Sequence, residues 1–304
     1  MKHLLKLSDL TSEEIKEILD LADKLKKEKK AGIPHRLLEG KTLGMIFTKS
    51  STRTRVSFEV GMHDLGGQAL FLSSRDIQLG RGESIMDTAR VLSRYLDGIM
   101  IRTFAQQDPE DLARYGSIPI INGLTDYCHP CQVLADLQTI REYKGGLEGR
   151  KLCFIGDGNN MANSLIVGCI KTGMSVSVAC PEGYRPDSDI VAWANGTGRL
   201  TVTDDIMAAA KDADALYTDV WASMGQEEEA ALRRKVFEGY CIDRRVMSAA
   251  KPDAMVLHCL PAHKGEEIME DVFEAHAGEI FDEAENRLHA QKAVMVLTMG
   301  GQNA

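Results

Sequence analysis

No stretch of this 304-residue chain approaches the roughly 20 consecutive apolar residues that a membrane-spanning helix needs. Positive charge is also in short supply. Against 45 Asp and Glu there are 36 Lys and Arg, which leaves a net charge of −9 at neutral pH. A net acid does not read as a general binder of nucleic acid or of an acidic membrane surface. The opening MKHLLKLSDL lacks the apolar core of a signal peptide, with Lys6 and Asp9 where that core would sit, so secretion is not expected. There is no low-complexity tract and no short repeat. Hydrophobic residues at 44% and charged residues at 27% make an ordinary globular composition, which excludes disordered, collagen-like and coiled-coil chains. A disulfide framework is missing too: seven cysteines is an odd count, and Cys153 in KLCFIG and Cys169 in LIVGCIK stand in apolar runs as small hydrophobes do. Free thiols predict a reducing, cytoplasmic setting.

What is present is length for about two domains, at roughly 150 residues each. Thr11 followed by Glu14 is a capping-box pattern. Ile15, Ile18, Leu19, Ala22 and Leu25 then recur at helical spacing. After Gly40 strands and helices alternate. Strand patterns are TLGMIF, QALFL, GIMIRT and SIPIIN, with helices from near Thr52, over 84–95, 109–115 and 131–143. KGGLEGR is Gly-rich and polar, as a domain boundary is. The alternation resumes with strands KLCFIG, SVSVAC, RLTVT, ALYTDV and AMVLHC, helices over 162–171, 187–195, 204–211 and 226–237, and a last long helix from Phe281. Strands separated by helices imply parallel sheets with right-handed crossovers. The expected fold is α/β: two doubly wound parallel-sheet domains with an interdomain cleft. Ligands of such sheets bind beyond the carboxyl ends of the strands, so chemistry is to be sought in the loops that follow them.

Ser50 to Arg55 follows the first strand. Hydroxyls at a helix start alternating with Arg53 and Arg55 make an oxyanion cradle, where a lone Ser or Thr would read as a cap. It has no Gly-x4-Gly-Lys pattern, so it is not a nucleotide P-loop. The loop Ser73 to Ser84 is polar and Gly-bearing. Arg102 ends a buried strand, pointing to a cleft or to a structural ion pair. Cys128-His129-Pro130-Cys131 has the spacing of a redox pair, but it follows several strand–helix units, and no second pair exists for a zinc ribbon. Gly156-Asp157-Gly158 is half a dinucleotide fingerprint. Met161 replaces its third glycine and no acid ends the next strand, Glu182 being misplaced, so the NAD reading is weak. Asn160 at the following helix start suits a carboxylate ligand. Asp219 at a strand end suits an ammonium, or a helix cap. Cys259, at the end of another buried strand, is placed for a cleft, or is one more buried thiol. Zinc on His258 and His263 lacks a four-ligand set.

Ser51-Thr52-Arg53-Thr54, followed by Arg55-Val56-Ser57-Phe58-Glu59, resembles the carbamoyl-phosphate loop of the aspartate and ornithine carbamoyltransferases. The other loops follow in that family's order over residues 1–304. The resemblance implies a carbamoyl-phosphate-binding domain over 1–145, joined by the C-terminal helix 284–304, and an ornithine-binding domain over 146–283. It implies that Ser51, Thr52, Arg53, Thr54, Gln78, Arg102, His129, Pro130, Cys131, Gln132, Cys259, Leu260 and Arg287 bind carbamoyl phosphate, with Gln78 reaching a neighbouring subunit's site. The loop carrying Gln78 has no lysine, where the aspartate enzymes place one. Cys128 and Cys131 then fill space around His129-Pro130-x-Gln132. Asn160, Asp219, Ser223 and Met224 would bind L-ornithine. His258-Cys259-Leu260-Pro261 and the Asp219–Gly225 loop match the ornithine branch, against putrescine or acylated ornithine. The implied reaction gives L-citrulline and phosphate, in biosynthesis or in catabolism, without cofactor or metal. Arg102, His129, Cys259 and Asp219 are the expected catalytic residues, the amine proton going to Cys259 or to Asp219. The expected partners are the two substrates and further copies of the chain, as a homotrimer or a multiple of trimers, with neither nucleic acid nor membrane. The rival readings are an NAD-dependent dehydrogenase and a non-catalytic module on the same scaffold.

Overall fold

The computed structural model describes residues 1–79, 82–222 and 227–300. In the first half α1 (Ser12–Lys30) precedes β1 (Thr42–Phe47), α2 (Thr52–Asp64), β2 (Gln68–Ser73) and α3 (Ile85–Leu92). β3 (Gly98–Arg102), α4 (Gln107–Tyr115), β4 (Ile120–Leu124) and α5 (Pro130–Lys144) follow. The second half runs β5 (Lys151–Ile155), α6 (Asn160–Lys171), β6 (Ser175–Ala179), α7 (Ser188–Asn195), β7 (Leu200–Thr203) and α8 (Ile206–Ala210). It closes with β8 (Ala215–Thr218), α9 (Ala230–Val236), α10 (Arg244–Ala249), β9 (Met255–His258), α11 (Glu270–Ala275) and α12 (Ala277–Met299). Two compact units result, one of Met1–Gln138 with Asn286–Ala304, the other of Thr139–Glu285. Among the described residues no helix is long and apolar enough to cross a membrane.

Each unit is built on one parallel sheet. The first sheet has the order β2-β1-β3-β4, the second β7-β6-β5-β8-β9. The expected pair of parallel-sheet α/β domains is therefore observed. Central strands covered on both faces need continuous apolar sequence, and Leu43, Met45 and Ile46 of β1 are fully buried, as are Leu152, Phe154 and Ile155 of β5. In both sheets the chain first builds outward on one side and then on the other. The order reverses between β1 and β3 in one sheet and between β5 and β8 in the other. At such a switch point the loops leaving the two strands diverge and open a crevice.

Local chemistry sets the ends of the elements. Thr11 accepts from the Glu14 N–H at 3.1 Å while the Glu14 carboxylate accepts from the Thr11 N–H at 2.9 Å, so the capping box forms. Some elements differ from the sequence pattern. β4 lies over Ile120–Leu124 rather than beginning at Ser117, and α3 stops at Leu92 instead of Tyr95. β8 ends at Thr218, which leaves Asp219 in the loop. α10 and α11 have six residues each, too few to show a period; Asp243 marks the first by accepting the Val246 N–H at 2.8 Å.

Asp214 binds the base of the second sheet together. It is fully buried, accepting from Arg150 at 3.0 Å, from Lys251 at 2.8 Å and from the Lys151 N–H at 2.9 Å. Burial raises its pKa, but Lys251, the backbone N–H and Arg150 outweigh burial, and the carboxyl sits below its ordinary value. A carboxyl depressed on folding adds stability above its unfolded pKa, near 3.9, and loses it as pH falls through the folded value. Asp214→Asn should therefore lower the urea midpoint at neutral pH by an amount worth about 2–4 kcal/mol. The gap between variant and wild type should shrink as pH drops below about 4. A gap constant with pH in denaturant titrations would show that the charge is not what holds the site.

Candidate active site

In the first unit the loops after β1, β3 and β4 converge with the middle of α12. Ser51 caps α2, accepting the Thr54 N–H at 3.2 Å. The first N–H groups of a helix lack intrahelical acceptors, so this start is an anion seat. A pocket of about 340 Å³ opens there, lined by Ser50, Ser51, Thr52, Arg55, Ser73 and Arg75 among others. Arg102 is buried at the end of β3, where a register shift against β4 between Ile101 and Arg102 redirects the strand tip. Its guanidinium donates to the Thr54 hydroxyl at 3.4 Å. Arg287 of α12 donates to the same hydroxyl at 3.2 Å and to the Gln132 carbonyl oxygen at 2.7 Å. Thr54, Arg102, Gln132 and Arg287 thus form one hydrogen-bonded group.

His129 is buried beside this group. Burial, and then the charges of Arg287, Arg102 and Arg53, hold its pKa well below the ordinary value, so it is a neutral imidazole. Pro130 opens α5, the position a helix start tolerates in proline. Cys131 donates its thiol to the Asn122 carbonyl at 3.3 Å, and Cys128 lies 3.4 Å from the Gln106 amide oxygen. Burial pushes both thiols up to about 12, so both stay protonated, which fits the space-filling reading and not a redox pair. Thr52 and Gln78 are exposed, and Gln78 makes no hydrogen bond to this group among the described residues. Arg55, on the pocket wall, donates to Glu59 at 2.9 Å and lies 3.8 Å over the Phe71 ring.

Sequence reasoning missed two supports here. Buried Lys49 pairs with Asp126, tying the loop after β1 to the loop after β4, and its ammonium stands 4.3 Å over Phe104. Gln291 accepts from Arg287 at 3.0 Å and donates to Ser57 at 2.8 Å, which fixes the guanidinium from behind.

In the second unit the loops after β5, β8 and β9 meet at Asp219. The Cys259 thiol donates to Asp219 Oδ1 at 3.0 Å, the Val220 N–H donates to the same oxygen at 2.8 Å, and Asn159 donates to Oδ2 at 2.9 Å. Asn159 also caps α6, accepting the N–H groups of Met161 and Ala162. The sequence reading gave Asn160 as a ligand of the substrate; it did not single out Asn159, the residue that grips Asp219. Asn160 is half-buried in the first turn of α6. Ser223 and Met224 lie outside the described residues. Arg233, hidden in the sequence as one of a basic run, is buried and donates to Asp157 at 2.7 Å and to the Trp221 carbonyl at 3.0 Å. Burial draws the Asp157 carboxyl upward against the pull of Arg233. Gly158 is glycine for packing: a Cβ would lie 2.3 Å from the Pro186 nitrogen and 2.6 Å from the Tyr184 carbonyl oxygen.

The tip beyond β9 is held by a buried relay. Leu260 stands at φ +57°, a region that costs an L-residue roughly 1–2 kcal/mol. Its N–H donates to His258 Nδ1 at 2.9 Å, and His258 Nε2 then donates to Glu267 at 3.0 Å, which fixes the tautomer.

With this geometry in hand, comparison with known proteins is decisive. The model of the aspartate/ornithine carbamoyltransferase carbamoyl-phosphate-binding domain matches residues 2–142, and that of the Asp/Orn-binding domain matches residues 148–298. The chain belongs to the aspartate/ornithine carbamoyltransferase family. Ornithine carbamoyltransferase of Thermococcus kodakarensis is 55% identical over 305 residues, 99% of this chain and 97% of that protein. The solved ornithine carbamoyltransferase of Pyrococcus furiosus superposes with a TM-score of 0.94 at 55% identity, covering 99% of this chain and 97% of that one. The anabolic enzyme of Campylobacter jejuni gives 0.92 at 44% identity, covering 98% and 99%. Carbamoyltransferase membership also removes the dehydrogenase reading of Gly156-Asp157-Gly158.

Neutral His129 is directly measurable. In an imidazole NMR titration its protonation step should fall well below the ordinary value near 6.5. Arg287→Gln removes one of the charges and should shift the step upward, toward the ordinary value near 6.5. A wild-type step near that ordinary value would mean that His129 does not share a site with the arginines.

Proposed function

We propose that the chain transfers the carbamoyl group of carbamoyl phosphate to the δ-amine of L-ornithine, giving L-citrulline and phosphate. The observation that carries the choice of amine is the contact of the Cys259 thiol with Asp219 Oδ1 at 3.0 Å, within the unit that matches the Asp/Orn-binding model. An acid and a thiol side by side suit an amine that must lose a proton before it attacks. The relatives named ornithine carbamoyltransferase at 55% identity support the same choice.

In this reading Ser51, Thr52, Arg53 and Thr54 hold the phosphate. Thr54, Arg102 and His129 donate to the oxyanion as the carbonyl carbon becomes tetrahedral. Pro130, Cys131 and Gln132 shape that end, Leu260 contributes backbone to the carbonyl, and Arg287 closes on the anion. Asn160, Asp219, Ser223 and Met224 hold ornithine. The amine, whose pKa is near 10, gives up its proton before attack. Cys259 and Asp219 share one hydrogen bond, and that pair takes the proton. Phosphate then leaves with the electron pair of its bond to carbon. No covalent intermediate arises, and the rate comes from positioning and from donors already aimed at developing charge.

We read the enzyme as a cytoplasmic homo-oligomer, a trimer or a multiple of trimers. Seven free thiols, six of them buried, support the reducing compartment. Exposed Val56, Leu70 and Phe71 around the edge strand β2, with Gln78 beyond it, support a face for a second copy that brings its own Gln78 to the pocket.

A citrulline assay with carbamoyl phosphate and a panel of ornithine, putrescine, N-acetylornithine and aspartate tests the proposal, with turnover expected on ornithine. Turnover confined to another amine would replace it. Arg53→Ala should lower kcat/KM for carbamoyl phosphate by about 100-fold or more without unfolding the chain. Cys259→Ser should lower kcat and move the alkaline side of its pH profile. An unchanged profile would reduce the thiol to packing.

A further inference from the structure

Asp136 has no part in the proposed reaction so far, yet one hydrogen bond joins it to the anion seat. It is fully buried in α5, one turn beyond Gln132, so the two side chains share a helix face. Gln132 Nε2 donates to Asp136 Oδ1 at 2.9 Å, and the Gln132 carbonyl oxygen accepts from Arg287 Nη1 at 2.7 Å. An ionised carboxylate accepts and cannot donate; a guanidinium donates and cannot accept. The amide between them therefore has one favourable orientation. Turned over, it would set its oxygen against the carboxylate and its NH2 against the guanidinium. All three side chains are at most 3% exposed, so solvent does little to soften that difference.

The other edge of Arg287 is built in the same sense. Gln291 accepts from Arg287 Nε at 3.0 Å and donates to Ser57 Oγ at 2.8 Å, while Ser57 donates its own proton to the Arg53 carbonyl at 2.6 Å. Arg287 Nη2 reaches the Thr54 hydroxyl at 3.2 Å. One edge of the guanidinium is thus referred to the backbone of the anion loop, and the other, through Gln132, to the Asp136 carboxylate. A carboxylate placed directly on Arg287 would pair with it and compete with an anion for its charge. The interposed amide passes on direction and leaves that charge to the anion. We propose that Asp136 is a positioning residue of the anion seat: its carboxylate orients the Gln132 amide, and the amide oxygen holds Arg287 beside Thr54, facing the phosphate. The inference rests on the proposed placing of carbamoyl phosphate at this group.

Inorganic phosphate, titrated calorimetrically into the full chain, tests this role without requiring turnover. Asp136→Asn keeps the shape of the side chain but lets it donate as well as accept, so the Gln132 amide loses its fixed sense. Phosphate should then bind about tenfold or more weakly than to the wild type. A role in packing would cost affinity whether or not Arg287 is present; a role played through Arg287 would not. In an Arg287→Gln background Asp136→Asn should therefore change phosphate affinity by less than about twofold. Equal affinity of wild type and Asp136→Asn, or a loss that adds in full to that of Arg287→Gln, overturns the proposal. Asp136→Ser, smaller and equally able to donate, takes its place with the same expectations if thermal melts show Asp136→Asn unfolded. In the citrulline assay Asp136→Asn should raise the KM for carbamoyl phosphate and leave that for ornithine within about twofold. A parallel rise in both overturns the proposal. Absence of citrulline from the wild type counts against the proposed reaction, and the phosphate titrations still decide the role of Asp136.

Discussion

A parallel sheet buried on both faces has only its edges and ends left for polar work. Beyond Thr42 and Lys151, β1 and β5 are apolar and buried, so charged groups collect at the ends of the strands. In the first sheet the strand order reverses between β1 and β3, and Thr54 and Arg102, the residues that bond across that gap, come from just beyond one strand and from the last position of the other. In the second sheet the reversal lies between β5 and β8, and Asn159 reaches Asp219 across it. One topological constraint thus explains the position of two chemically opposite groups.

The two groups are balanced differently. In the first unit two guanidiniums, those of Arg102 and Arg287, share the single hydroxyl of Thr54. Like charges held close are unfavourable, and burial together with the same field lowers the His129 pKa. An anion would reverse the sign of that interaction, which supports the phosphate seat proposed there. Gln132 and Gln291 make this tolerable because neutral carbonyl oxygens hold Arg287 without cancelling its charge. In the second unit Asp219 receives three hydrogen bonds, from Cys259, Val220 and Asn159, and none of these donors carries a positive charge. Its carboxylate therefore remains available to a cation.

Much of this was legible in the sequence, and the limit has a physical form. Elements of a dozen residues or more, such as α1 with its capping box, announce themselves by period and cap. Loops that carry motifs were placed correctly because parallel topology puts them after strands. What the sequence hides is burial and partner choice. Arg233 reads as one of three consecutive basic residues, yet it is the one turned inward to Asp157 and Trp221. Lys49 and Gln291 are likewise ordinary polar residues until their partners, far away in sequence, are known. Asn159 and Asn160 are indistinguishable by composition; only the start of α6 decides which of them is the cap. Arg55 reads as part of the phosphate cradle by alternation, and only the structure shows that it also pairs with Glu59 one turn on.

The sharing of Asp219 by an amide, a backbone N–H and a thiol also bears on how a proton leaves an amine. In the proposed reaction the ammonium would arrive beside both groups, its charge offsetting that of the carboxylate, and the hydrogen bond from thiol to carboxylate offers the departing proton a path shared by two side chains.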